Sequence, residues 1–114
     1  MQEKDNPLEI VNGPTQEKIN EWKVKFGDIF VTSLGNDKYI YRPLKRFEYK
    51  QILQTAQNPE NKAFAEEKVA EKCIIWPKLD AAKFSMLKAG TISTLVDLVM
   101  VASDFGVSEE PRKL

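Results

Sequence analysis

The apolar positions of this chain fall into a few segments of different period, and the greasiest of them lies near the end. Gly90-Thr-Ile-Ser-Thr-Leu-Val-Asp-Leu-Val-Met-Val-Ala-Ser103 is nearly uncharged, with Ile92, Leu95, Val96, Leu98, Val99, Met100 and Val101 spread most of the way around a helix. Such a helix is either enclosed in a core or covered by another chain. Core is the plainer reading, but 114 residues offer only a modest core, so an interaction surface competes with it. Upstream, Ile19, Trp22 and Phe26 recur at spacings of three and four between Thr15, a capping residue, and Gly27, a left-handed terminator. That pattern predicts a helix with one apolar face. Asp28-Ile-Phe-Val-Thr-Ser-Leu34 and Lys38-Tyr-Ile-Tyr-Arg42, joined by Gly35-Asn-Asp37, have the β-branched and aromatic content of a hairpin. Two strands alone are marginal, so a face must pack on helices or an edge must pair with another chain.

Pro43 suits the first turn of a further helix, in which Tyr49, Ile52, Leu53 and Ala56 share a face as far as Gln57. Asn58-Pro59 is a second start signal, and the helix it opens runs to about Ile75 before Pro77 stops it. Asp80 caps a shorter helix carrying Phe84 and Leu87; Gly90 closes it, Thr91 caps the apolar helix, and Phe105-Gly106 ends that one. The expected fold is α+β: a short N-terminal helix, one antiparallel β-hairpin, then about four helices packed as a small helical domain over residues 15–106. Polar segments 1–14 and 107–114 are expected to be a flexible arm and tail, the arm having Leu8, Ile10 and Val11 as its apolar anchors.

Charge narrows the choice of partners. Seventeen basic and 17 acidic residues cancel, so no general attraction to phosphate exists and nonspecific nucleic-acid binding is disfavoured. The single basic and aromatic cluster, Arg42, Lys45 and Arg46 among Tyr39, Tyr41, Phe47 and Tyr49, is better read as a strand-to-helix junction braced by Arg42 and Arg46, which pair with Glu48 or helix-end carbonyls while the rings fill the core, than as a nucleic-acid surface. No apolar run reaches the length of a membrane span, since Asp97 and Asp104 interrupt the longest one, and a cytosolic location is expected.

The residue inventory is poor in catalytic chemistry. The chain has no histidine, and its one cysteine, Cys73, sits on the apolar side of an expected helix as a buried, inert thiol. Isolated glycines form neither a phosphate loop nor a dinucleotide fingerprint. Asp97 and Asp104, seven positions apart on the last helix, stand about 10 Å apart along its axis, too far to share a proton. Asp5, Asp28, Asp37 and Asp80 lack the spacing of a calcium loop. No enzyme activity, cofactor or metal is expected. Trp76, after Ile74 and Ile75, is either a core plug or an anchor for a partner.

Three segments carry a resemblance. Glu21-Trp-Lys-Val-Lys-Phe-Gly27, the run Tyr39-Ile-Tyr-Arg-Pro-Leu-Lys-Arg-Phe-Glu-Tyr49, and Glu67-Lys-Val-Ala-Glu-Lys-Cys-Ile-Ile-Trp-Pro77 together resemble small tail assembly chaperones of tailed bacteriophages over roughly residues 16–106. Arg42, Pro43, Arg46, Glu48 and Tyr49 match one motif of that family, and Ala70, Glu71, Cys73 and Pro77 match another. The resemblance implies a noncatalytic holdase of the infected bacterial cytoplasm that coats the tape-measure protein until tail-tube subunits replace it. Trp76, Ile92, Leu95, Val96, Val99 and Met100 are then the expected contact residues. A minor structural protein of the virion is the alternative, a small inhibitor of a host protein a weaker one. Self-association and a frameshifted longer product stay open.

Overall fold

A computed structural model describes residues 13–55, 62–106 and 110–114. The domain is α+β, with five helices and a three-stranded antiparallel sheet among the described residues. The sequence-predicted arm falls mostly outside those residues, as do Ala56–Gln57, the Asn58-Pro59 start signal and 107–109 of the tail.

Helix α1, Gln16–Phe26, forms as its caps require: the Thr15 hydroxyl accepts the Lys18 N–H at 3.1 Å, and Gly27 ends the helix at φ 83°. Strands β1, Phe30–Leu34, and β2, Asp37–Tyr41, pair from Phe30 opposite Tyr41 to Leu34 opposite Asp37. The connection is thus the two residues Gly35-Asn36, and Asp37 belongs to the strand rather than to the loop. Gly35 has φ 63° while Asn36 does not share the positive φ, the pattern of a type II′ turn, which matches the twist of the strands it joins.

Side chains alternate across the sheet, which sorts β2 between two environments. Tyr39 and Tyr41 enter the main core, and Phe30 stacks on Tyr41 with centroids 5.5 Å apart. Ile40 faces the other way and is still only 2% exposed. Arg42 follows on that side, with its guanidinium 5.2 Å from the Phe26 ring centroid, which brings the C-terminal end of α1 behind the sheet.

The helix expected from Pro43 begins later. Helix α2 spans Arg46–Thr55, and the Lys45 carbonyl accepts the Tyr49 N–H at 3.0 Å; the donors just before the helix, which no helical turn would satisfy, go to the Ser103 hydroxyl from the Leu44 N–H at 2.8 Å and to Glu48 from the Lys45 N–H at 3.0 Å. Helix α3, Lys62–Cys73, likewise stops short of Ile75. Ile74–Trp76 is instead strand β3, antiparallel to β2, with Ile40 opposite Trp76 and Tyr41 opposite Ile74. One expectation is corrected here. The sheet has a third strand, and the hairpin edge that needed a partner finds part of one within its own chain. Two isoleucines and a tryptophan favour the pleated conformation, and an unpaired edge is available to satisfy their backbone groups.

Helix α4, Ala81–Met86, is capped by Asp80, whose carboxylate accepts the Lys83 N–H at 3.0 Å. Helix α5, Ala89–Ala102, starts earlier than predicted: Gly90 lies in its first turn instead of closing α4, and Lys88 occupies the position assigned to Thr91. Asp104 lies beyond the helix with φ 69°, so Asp97 and Asp104 do not share a helical face.

The core gathers where α5 packs on α3 and α3 on α2. Ile92, Leu95, Val96 and Val99 are its contribution from α5, at i, i+3, i+4 and i+7, and they meet Val69, Ala70 and Cys73 of α3 together with Ile52 of α2. The rest of the helix grades outward: Leu98 and Met100 are half-buried and Val101 is 59% exposed. Four of the six expected contact residues are therefore inside the monomer. Enclosing one stripe is enough to bury this helix, because its remaining positions are small, polar or only partly covered.

Leu95 leaves a cavity at the centre of this core when truncated. Leu95→Ala is expected to cost about 3 kcal/mol, while Asp97→Ala on the exposed side stays within about 0.5 kcal/mol. Urea unfolding of the two variants checks the difference.

Candidate functional site

Two places gather the residues of interest, and they have different chemistry. The first is the junction between β2 and α2. Glu48, a buried carboxylate, accepts from Nη1 and Nη2 of Arg42 at 2.9 and 2.8 Å and from the Lys45 N–H at 3.0 Å. The same Nη1 also donates to the Pro43 carbonyl at 3.0 Å, and the Arg42 backbone N–H donates to the Cys73 carbonyl at 2.9 Å. The bidentate pair holds the Glu48 carboxyl below its ordinary value, chiefly through the hydrogen bonds from Arg42, against the opposing effect of burial. Arg46 does something else: its guanidinium sits 5.5 Å from the Tyr49 ring centroid, and Tyr49 meets Phe105 edge-on at 4.9 Å.

Arg42 is thus paired, as the bracing reading expected, and Tyr39 and Tyr41 are in the core. The exposed remainder of the basic and aromatic cluster is Lys45, Arg46 and Phe47. Cys73 lies behind the junction, fully buried. Burial pushes its thiol up to about 11, with Arg42 and Lys72 lowering it and Glu48 raising it. A thiol held that high and away from solvent is a poor nucleophile. Asp97 and Asp104 are both exposed, and among the described residues no three of the Cys, Asp and Glu side chains come together as a metal site.

The second place is an open groove of about 910 Å³ between the hairpin end and α4. Asn36, Asp37, Lys38 and Tyr39 form one wall, Trp76, Pro77 and Leu79 the base, and Ala82, Lys83, Met86 and Leu87 the other wall. Local sequence explains its shape. Pro77 has no N–H to continue the ladder, so the chain leaves the sheet after Trp76; buried Leu79 pins the departing segment, and Asp80 starts α4 at once. Phe84 anchors α4 in the core, and Met86, two positions on, points to the opposite side and is 84% exposed. Lys83 Nζ donates to the Lys78 carbonyl at 3.0 Å, closing the loop beneath. The Tyr39 phenol is raised by burial and by Asp37.

Of the predicted contact residues, Trp76 alone lines this groove. Met86, Lys83 and Lys38 were missed by reasoning from sequence, although an unbranched apolar residue two positions after a buried phenylalanine is a readable sign of an exposed Met. No helix among the described residues is long and apolar enough to cross a membrane. Comparison with protein-family models, with curated proteins and with solved structures gives no match to this chain.

Two measurements address the junction. The Glu48 contribution is present above the ordinary carboxyl value of 4.5 and is lost as pH falls through the lower folded value. Glu48→Gln is expected to cost about 3 kcal/mol near neutral pH, by leaving Arg42 unpaired, with the gap to the parent narrowing below pH 4.5 in urea titrations. Cys73 should resist a thiol reagent at mildly alkaline pH in the native protein and react stoichiometrically once the chain is unfolded in urea.

Proposed function

We propose that this chain is a noncatalytic binding protein, and specifically a tail assembly chaperone of tailed bacteriophages acting in the cytoplasm of the infected cell. Its task is to hold tape-measure or tail-tube proteins during tail assembly. The observation that carries the binding reading is the groove beside Trp76. It is apolar in large part, open, and flanked by a methionine that the chain's own core leaves exposed. Methionine and tryptophan at such a place suit a surface that must grip and later release a polypeptide, because the thioether adapts its shape and the indole offers a large contact area. The phage assignment rests on the resemblance of residues 39–49 and 67–77 to that family.

Contact through the groove replaces contact through α5. Ile92, Leu95, Val96 and Val99 serve the chaperone as a scaffold, since exposing them would dismantle the core. Met100, half-buried on the same helix, contributes through packing as well. A soluble holdase needs little chemistry of its own: it shields apolar segments of the client by mass action and yields when a tighter partner arrives.

Co-expression with the tape-measure and tail-tube proteins of a tailed phage tests this reading. The parent chain should co-purify with one of them and be missing from mature particles; a fixed copy number in purified virions would mark a structural component instead. Met86→Asp is expected to weaken capture about thirtyfold, the effect of losing roughly 2 kcal/mol at a contact centre, with an unchanged thermal melt because Met86 is 84% exposed. Undiminished capture by that variant removes the groove from the interface.

A further inference from the structure

We infer that the groove beside Trp76 takes an extended peptide segment of a partner protein as an added β-strand, with an acidic residue close to its apolar anchors. The inference rests on the reading of this groove as a partner contact and specifies the form of the partner. Its basis is the mismatch in length between two strands. Strand β2 runs from Asp37 to Tyr41, but β3 pairs only with Ile40 and Tyr41. The Asp37–Tyr39 stretch, about 10 Å at roughly 3.4 Å per residue, has β1 on one side and the groove on the other.

Backbone alternation identifies the groups concerned. A two-residue turn makes Leu34 and Asp37 a hydrogen-bonded pair, so Tyr39 and Tyr41 also direct their N–H and C=O groups toward β1. Lys38 and Ile40 direct theirs the opposite way. The Arg42 N–H, next in that alternation, does bond to the Cys73 carbonyl on the β3 side. Ile40 meets Trp76, whereas on that same edge Lys38 meets no strand among the described residues, because the chain turns away at Pro77. Both backbone groups of Lys38 therefore face the groove as a donor and acceptor pair, the arrangement an incoming antiparallel residue satisfies with two hydrogen bonds.

The surroundings define the side chains of that segment. Trp76, Leu79, Met86 and Leu87 offer apolar contacts beside the open edge. Lys38 and Lys83 line the groove, and exposed Lys78 and Lys88 flank its lining residues in the chain. None of these four lysines makes an ion pair among the described residues. Of the nearby acids, Asp80 caps α4 and Asp37 lies at the hairpin end, so two carboxylates stand against four ammonium groups, of which Lys38 Nζ donates to Ser33 Oγ at 2.8 Å. In a chain of zero formal net charge this is a local cationic excess, complementary to an acidic peptide.

The test uses the full chain labelled with nitrogen-15 and a capped pentapeptide, acetyl-Asp-Val-Tyr-Val-Glu-amide, beside its counterpart with lysine in place of both acids and an acidic amphipathic helical peptide. The acidic strand peptide is expected to slow exchange of the Lys38 amide at least about tenfold and to bind about tenfold more tightly than the lysine counterpart. Lys38→Pro deletes the N–H on the open edge without removing a backbone bond to β1, and should weaken binding about tenfold; the 2.8 Å bond from Lys38 Nζ to Ser33 Oγ that it also removes is lost equally in Lys38→Ala. Should that variant fail to fold, Lys38→Ala decides: it keeps the backbone, so slowing of the residue 38 amide must persist. Binding of any of the peptides with unaltered exchange at Lys38, or parent-like affinity in folded Lys38→Pro, overturns the inference. Absence of pentapeptide binding in a chain that still captures tail proteins through Met86 overturns strand addition and leaves the chaperone reading standing. Peptide binding with Lys38 protection in a chain that captures no tail protein supports strand addition and removes the phage reading alone.

Discussion

The salt bridge between Arg42 and Glu48 is the constraint on which the arrangement of the other elements turns. Both groups are largely withdrawn from water, and two charges in that position are tolerated only when their hydrogen bonds are met. The carboxylate meets both terminal nitrogens of the guanidinium and the Lys45 N–H, while Arg42 Nε remains without a partner in the described structure. Geometry follows from that requirement. Arg42 directly follows β2, Glu48 lies in the first turn of α2, and the pair sets the angle at which the chain leaves the sheet. The Arg42 N–H at the same point bonds to the Cys73 carbonyl, so the end of α3 and the start of β3 are placed by one residue.

From this junction the remaining architecture is reached in short steps. Strand β3 pairs beside Tyr41 and Ile40 and then departs at Pro77, too soon to cover the whole of β2. Helix α4 returns across the gap without closing it, with Phe84 inward and Met86 outward. The proposed binding surface is therefore a by-product of strand length: a longer β3 would pair with Lys38 and fill the space now open beside Trp76. Helix α5 takes no direct part in that surface. Its four buried aliphatic residues give α3 and α2 something to pack on, which holds the ends of β3 and α4 in place.

Local instructions in the chain settled several features without reference to the rest. Thr15 and Gly27 bound α1 because capping groups and a left-handed residue act within one turn; Asp80 starts α4 for the same reason; Gly35 makes the hairpin turn. The α+β class, the burial of Cys73 and a basic brace at the strand-to-helix corner were also readable, while packing decided that Arg42 and not Arg46 takes Glu48. What the tertiary structure decided was everything that depends on a distant partner. Ile74–Trp76 follows a helix and could continue it, but β2 presents an edge that only an extended segment can satisfy. The Leu44 N–H is bound by Ser103, 59 residues away, which ties the approach to α2 to the end of α5. Period and composition identified α5 as apolar most of the way around, while only packing determined that its Ile92, Leu95, Val96 and Val99 face the core and that Met86, on a six-residue helix with little pattern of its own, faces the groove. Caps and turns carry their energy in neighbours along the chain and so are written there; the open edge of Lys38 and the groove beside it exist only between segments, and no reading of one segment contains them.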